Sequence, residues 1–284
     1  MDPNPASRKE RKGTRREVSR YCNGCTSPVL ITMLRIEPLV RALIGIKAAR
    51  MRSGYTQYMN PPWETPADLK QWRKEQRAIL LARRTASMPA ERAAWDAAIN
   101  QFLEEGFPSL QGIVVGFCWP YKGEVNLRPL IQKLRGHGSR TALPAVVAPR
   151  QPLEFREWWP GAPMKAGALG IPMPEGTPVL LPDAVLVPPV GFTDHGWRLG
   201  YGGGYFDRTL AVLSPQPLKI CVAHELSRLP TIHPQPHDIA MDFVVTELGI
   251  HAAGGGGRHL IDAATATRLA AQILSSRGLP RRQA

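Results

Sequence analysis

Cysteine is nearly missing from this chain: four among 284 residues. That excludes a disulfide framework and suits a reducing compartment such as the cytoplasm. Cys22-Asn-Gly-Cys25 is a C-x-x-C pair, but no second pair exists to complete a four-ligand zinc site. Cys118 and Cys221 stand alone in apolar runs that read as core. Long apolar runs are missing too. Residues 29–46 are apolar only in patches, broken by Arg35, Glu37, Pro38 and Arg41, so they hold no span of about 20 residues to cross a bilayer. The same breaks, with no small-residue cleavage site behind them, make a secretory signal a poor fit. No internal repeat is visible.

Acidic residues are in short supply, 23 Asp+Glu against 36 Lys+Arg, for a net charge of +13. Such an excess first suggests nucleic acid as a partner. Its distribution argues otherwise. Residues 1–58 carry 12 Lys+Arg against 4 Asp+Glu, residues 251–284 carry 5 against 1, and residues 59–250 carry 19 against 18. The charge sits in the two ends, whereas a nucleic-acid domain would carry it on its folded part.

What the chain does have is glycine in one place. Arg198-Leu199-Gly200-Tyr201-Gly202-Gly203-Gly204-Tyr205-Phe206-Asp207-Arg208 holds four glycines within five residues. Glycine lets backbone approach a ligand closely, and successive N–H groups in such a loop form an anion-binding nest. Arg198 and Arg208 add charge suited to phosphate oxygens, and Asp207 adds a hard oxygen ligand of the kind Mg²⁺ takes beside phosphates. Asp183 to Val190 reads as a buried strand feeding the loop, and Tyr205 to Leu213 as a helix leaving it. That junction is where α/β folds hold phosphates. The loop is neither a dinucleotide fingerprint, since Tyr205 stands where the third glycine would be, nor a Walker loop, since no Gly-Lys-Ser/Thr follows.

Helices are expected over residues 66–84, 89–103 and 125–134, and strands over 112–119, 141–148, 153–158, 183–190, 218–225 and from 242. Residues 159–176, rich in Pro and Gly, read as loop. In the first helix, Leu69, Trp72, Ile79 and Leu80 share an apolar face, and Lys70, Arg73, Lys74, Arg77, Arg83 and Arg84 read as a solvated one. Strands alternating with helices predict one α/β domain with three layers, a largely parallel central sheet flanked by helices, over residues 59–250. Residues 1–58 are expected to be a disordered basic extension. Residues 251–284 read as a Gly-rich linker and a loose tail, in which Thr265 to Leu274 has amphipathic helical spacing.

The stretch Arg198 to Arg208 resembles the signature of the 5-formyltetrahydrofolate cyclo-ligase family (5,10-methenyltetrahydrofolate synthetase). His237-Asp238-Ile-Ala-Met-Asp242-Phe-Val-Val-Thr246-Glu247 resembles its C-terminal block, Trp119-Pro-Tyr-Lys-Gly-Glu124-Val its substrate segment, and Lys70 to Arg84 its basic opening helix. The resemblance covers residues 66 to 250. It implies ATP-dependent closure of 5-formyltetrahydrofolate to 5,10-methenyltetrahydrofolate, with release of ADP and phosphate. It implies that Lys70, Arg73, Arg198 and the loop Leu199, Gly200, Tyr201, Gly202, Gly203, Gly204, Tyr205 and Phe206 bind ATP. Glu124 would orient the folate, Trp119 would line its pocket, and Asp207 and Asp238 would hold Mg²⁺. Arg198 and Asp207 would act in catalysis. Some members carry a lysine or arginine inside the loop where this chain has Tyr201 and Gly203, so charge here rests on backbone N–H groups and Arg198. A monomer acting on folate, polyglutamylated or not, is expected. Two other classes stay open: a sugar-phosphate isomerase or CoA-transferase-like enzyme, which needs a carboxylate base and no ATP, and nucleic-acid binding through the basic ends.

Overall fold

The computed structural model describes residues 65–254 and 257–279. The expectations for residues 1–58, Cys22 and Cys25 included, lie outside them.

Thirteen short strands follow in chain order: β1 (Val114–Gly116), β2 (Arg140–Ala145), β3 (Glu154–Trp158), β4 (Met164–Ala166), β5 (Pro172–Pro174), β6 (Val179–Leu180), β7 (Ala184–Val187), β8 (Gly191–Phe192), β9 (Arg198–Leu199), β10 (Leu218–Val222), β11 (Phe243–Thr246), β12 (Gly249–Ala252) and β13 (His259–Ile261). The α-helices are α1 (Pro66–Ala86), α2 (Pro89–Gly106), α3 (Arg128–Gly136), α4 (Tyr205–Val212) and α5 (Ala263–Ser276). Nine strands form one sheet in the order β13-β12-β11-β10-β7-β1-β2-β3-β6. From β11 to β2 every pairing is parallel. At the edges β3, β6, β12 and β13 run antiparallel to their neighbours.

The central strands are buried on both faces, which is why they read as unbroken apolar runs rather than as alternation. In β10, Ile220 and Val222 join one core, and Cys221 joins the core on the opposite face. β7 divides its Ala184-Val-Leu-Val187 the same way. The first core is closed by α2, α3 and α5, and the second receives Leu210 of α4. The expected α/β class and three layers are therefore found, with antiparallel edges added.

Two expectations are corrected. Residues 159–176 are not simply loop: β4 and β5 pair into a two-stranded ribbon. Prolines hid it; Pro172 and Pro174 lack the N–H that strands normally donate. Residues 257–279 are not a loose tail either. β13 pairs with β12, and α5 buries Ala266, Ala270 and Leu274 in the main core. Small alanines carry little apolar signal in sequence, yet they allow α5 to approach α2 closely. The core thus reaches past the expected boundary at residue 250.

Helix α1 begins with a capping box: the Thr65 hydroxyl accepts from the Asp68 N–H, and the Asp68 carboxylate accepts from the Thr65 N–H at 3.0 Å. It docks through Leu80 against Val190, Leu199, Leu229 and Ile232. Ile79, expected on that face, is half exposed at 49%, and the charged Arg84 is buried at 3%.

Candidate active site

The parallel core places its crevice by topology. From β1 the chain crosses through α3 to β2 on one side; from β7 it crosses through α4 to β10 on the other. β1 and β7 are neighbours, so their C-terminal ends mark the point where connections diverge, the usual position of a ligand site in an open α/β sheet. A cavity of about 420 Å³ lies there. Cys118 and Trp119 line it from beyond β1, and Val187 and Pro188 from β7. The β4–β5 ribbon supplies Gly167 to Leu169 and Ile171 to Met173, making one wall mostly apolar. Arg198, the glycine loop and Asp207 line the rest. Cys118, expected in the core, is a lining residue.

The glycine loop runs directly into α4. Gly202 (φ 98°) and Gly204 (φ 64°) occupy the left-handed region, which explains glycine at both. A side chain on Gly203 would meet the Tyr205 ring at 2.7 Å. The N–H groups of Tyr201, Gly202, Gly203 and Gly204 donate to no protein acceptor among the described residues. Arg77 of α1 reaches across to this loop. Its Nε donates to the Gly200 carbonyl at 2.7 Å, and a Cβ at Gly202 would lie 3.3 Å from its Cζ. No carboxylate among the described residues pairs with Arg77. Burial, and then the charge of Arg73, depress its pKa. Arg77 belongs to the basic face read as solvated; only its spacing of four from Arg73 could have marked it.

Asp207 opens the first turn of α4 and faces Arg198 in a bidentate pair, at 3.0 and 3.2 Å. Its Oδ1 also accepts from the Ile239 N–H at 3.1 Å. The Arg198 side chain is almost wholly buried, and its Nε has no partner among the described residues, so a buried donor is left over beside the cavity. Asp238 is held elsewhere. Its Oδ2 accepts from Arg73 at 2.6 Å and from the Gln235 N–H at 2.7 Å, and Asp238 does not line the cavity. Arg73 also donates to the carbonyls of Ile232 and His233, so most of its donors are committed. Lys70 is exposed on α1 and lies outside the cavity lining. Asp242 organises structure: it accepts from the Lys219 N–H and pairs with Arg277.

Glu124 is aimed by a tight turn. Lys122 and Gly123 both take positive φ, and the Glu124 N–H donates to the Tyr121 carbonyl at 3.1 Å. The carboxylate is 8% exposed and lines the cavity. Its Oε2 accepts from the Tyr121 N–H at 3.1 Å and its Oε1 from the Tyr201 hydroxyl at 2.8 Å. Burial raises its pKa to about 7, against the opposing pull of Arg84, of the Tyr201 hydroxyl and of the Tyr121 N–H. Trp119 stands beside it, 5.4 Å from the Arg128 guanidinium and edge-on to Trp158. Glu124, Trp119, Arg198, Asp207 and most of the glycine loop are therefore brought to one cavity; Arg73, Asp238 and Lys70 are not. Among the described residues no group of three or more His, Cys, Asp or Glu could hold a metal ion. Also among them, no helix is long and apolar enough to cross a membrane.

Comparison with known proteins meets this geometry. The family described as "5-formyltetrahydrofolate cyclo-ligase family" matches residues 69–247. The 5-formyltetrahydrofolate cyclo-ligase of Mycolicibacterium smegmatis is 30% identical over 181 residues, covering 60% of this chain and 91% of that protein. The Escherichia coli K12 enzyme of the same name is 30% identical over 149 residues, 49% of this chain and 80% of that one. Among solved structures, the Aquifex aeolicus 5,10-methenyltetrahydrofolate synthetase superposes with a TM-score of 0.57 at 28% identity, covering 67% of this chain and 96% of that one. The Mycoplasma pneumoniae synthetase gives 0.52 at 25%, covering 62% and 98%. With its glycine loop, its buried glutamate and strands β1 to β11 all inside the matched span, the chain belongs to the 5-formyltetrahydrofolate cyclo-ligase family.

Proposed function

We propose that this enzyme closes 5-formyltetrahydrofolate to 5,10-methenyltetrahydrofolate at the expense of ATP, taken up as its Mg²⁺ complex. The observation that carries the reading is the pairing of two unlike halves in one cavity. One half offers glycine-loop N–H groups and an Arg198 Nε that find no acceptor among the described residues, with Arg77 held against that loop at the Gly200 carbonyl. The other offers a buried carboxylate, Glu124, beside Trp119 and an apolar wall.

A triphosphate fits the first half by charge and by its many acceptor oxygens. Arg77 adds a second cation against the glycine loop beside Arg198, while Arg73 orders the Ile232–Asp238 loop. Mg²⁺ bound with its nucleotide would need few protein ligands, and of the two expected aspartates Asp207 is the one that lines the cavity and would hold it. A folate fits the second half: its fused ring needs an apolar slot and an acceptor for its N–H donors, which Glu124 provides.

Ring closure must expel the formyl oxygen, a poor leaving group. Transfer of the γ-phosphoryl group to that oxygen makes one P–O bond and breaks the bond to ADP. N10 then attacks the formyl carbon, the C–O bond to phosphate breaks, and N10 loses its proton. The protein's share is alignment of the two substrates and neutralisation of developing charge by Arg77, Arg198 and the loop N–H groups. No side-chain nucleophile is needed. Purified protein mixed with 5-formyltetrahydrofolate is expected to develop the near-ultraviolet band of the methenyl product only when ATP and Mg²⁺ are both present. Folded protein that gives no such band would refute the assignment.

A further inference from the structure

Arg84 has no place in the reading above, yet it is the most deeply committed cation near the site. Its Nε donates to the Lys122 carbonyl at 3.0 Å, its Nη1 to the Pro189 carbonyl at 2.9 Å and its Nη2 to the Tyr201 hydroxyl at 2.8 Å. These three acceptors belong to the turn that carries Glu124, the segment after β7 and the glycine loop. One side chain on α1 therefore ties together the pieces that build the cavity. A guanidinium has donors and no acceptor. The Tyr201 oxygen must accept from Arg84, so its single proton is directed to Glu124, 2.8 Å away. The contact is a one-way relay, Arg84 to Tyr201 to Glu124.

We propose that Arg84 and Tyr201 are positioning residues for the folate half of the site: the relay holds the Glu124 carboxylate aimed into the cavity and tethers that aim to the glycine loop. The inference rests on the reading of Glu124 as the folate acceptor. The loop belongs to the ATP half, and Tyr201 sits between Gly200 and Gly202 within it, so the seat of one substrate is built partly from the seat of the other. The groups facing Glu124 are few: Arg84 from α1, Tyr201 from the loop, the Tyr121 N–H from its own turn and the Cys118 thiol from beyond β1. Burial, and then the Glu124 charge, push the Cys118 thiol well above its usual range, and the Tyr201 phenol is pushed up as well, so both stay neutral where Glu124 titrates.

The test is steady-state kinetics of the full chain across pH. Tyr201→Phe removes one oxygen and with it the relay. It is expected to raise KM for 5-formyltetrahydrofolate roughly tenfold, the worth of a hydrogen bond to a charged group. It should also move the acid limb of kcat/KM for folate upward by roughly one pH unit. Arg84→Lys should move both in the same direction. A merely structural role for Tyr201 would alter thermal stability and leave the acid limb where it is. Tyr201→Phe with wild-type folate KM and an unmoved limb would overturn the proposal alone. Glu124→Gln separates the two levels: an unchanged folate KM in that variant would overturn the assignment of Glu124, and the relay's role with it.

Discussion

At the scale of single residues, the site is governed by two carboxylates in different company. Glu124 is buried and held near pH 7. Its folded pKa lies above the unfolded one, so its contribution to stability is complete below about pH 4.5 and is lost as pH rises through about 7. A shift of that size corresponds to about 3 kcal/mol. Urea denaturation at pH 5 and pH 8 should show stability falling with pH, and Glu124→Gln should flatten the slope. A wild-type protein that gains stability over that window would contradict the charge assignment. Asp207 behaves differently because Arg198 holds it by two hydrogen bonds. Asp207→Asn is expected to abolish turnover and also to destabilise the fold by about 3 kcal/mol, since it strands a buried guanidinium. Turnover near normal in this variant would remove Asp207 from the reaction. Arg198→Ala should raise KM for ATP and lower kcat; unchanged kinetics would exclude Arg198 from the ATP half.

At the scale of elements, the glycine loop and α4 were legible because their requirement is local: a left-handed backbone at Gly202 and Gly204 can be anticipated from residue type alone. Gly202→Ala should cost about 1–2 kcal/mol of backbone strain and raise KM for ATP, its new methyl group lying against Arg77. A variant with both values unchanged would show that this loop does not need its glycine there. In the turn presenting Glu124, the left-handed Gly123 is of the same kind, but the positive φ of Lys122 beside it has no signal in residue type, and Glu124 was marked only by the family resemblance. What was hidden is non-local. Arg77 and Arg84 sit on a helix whose sequence looks like any solvated basic face, and nothing near them signals that their acceptors lie 38 to 123 positions away. The separate engagement of Asp238 was hidden for a similar reason. Residue type makes both plausible ligands, but Arg73 on a distant helix takes Asp238. The β4–β5 wall was missed because its prolines speak against strands wherever no partner is in view.

At the scale of the whole molecule, the C-terminal segment is part of the fold. Ala266, Ala270, Leu274 and Leu279 are buried in the main core, and Arg277 pairs with Asp242 beside β10. A chain cut after residue 257 loses one of the three helices that close that core. Such a chain is expected to lose its cooperative thermal transition, and a sharp transition near that of the full chain would show that α5 is dispensable. Removing 251–284 therefore cannot separate enzyme activity from binding through the basic ends. A chain lacking residues 1–58 is therefore the one in which nucleic-acid binding and enzyme activity are to be compared with those of the full chain.

Helix α1 comes first among the described elements, and its arginines complete the cavity by clasping segments made long after it: Arg84 meets Tyr201 across 117 positions and Arg73 meets Asp238 across 165. Loops of that length close late, once the sheet that carries their far ends exists. Catalytic competence should then be the last property to return during refolding. After dilution from denaturant, helical circular dichroism should recover first, and ring-closing turnover should trail it by a measurable lag.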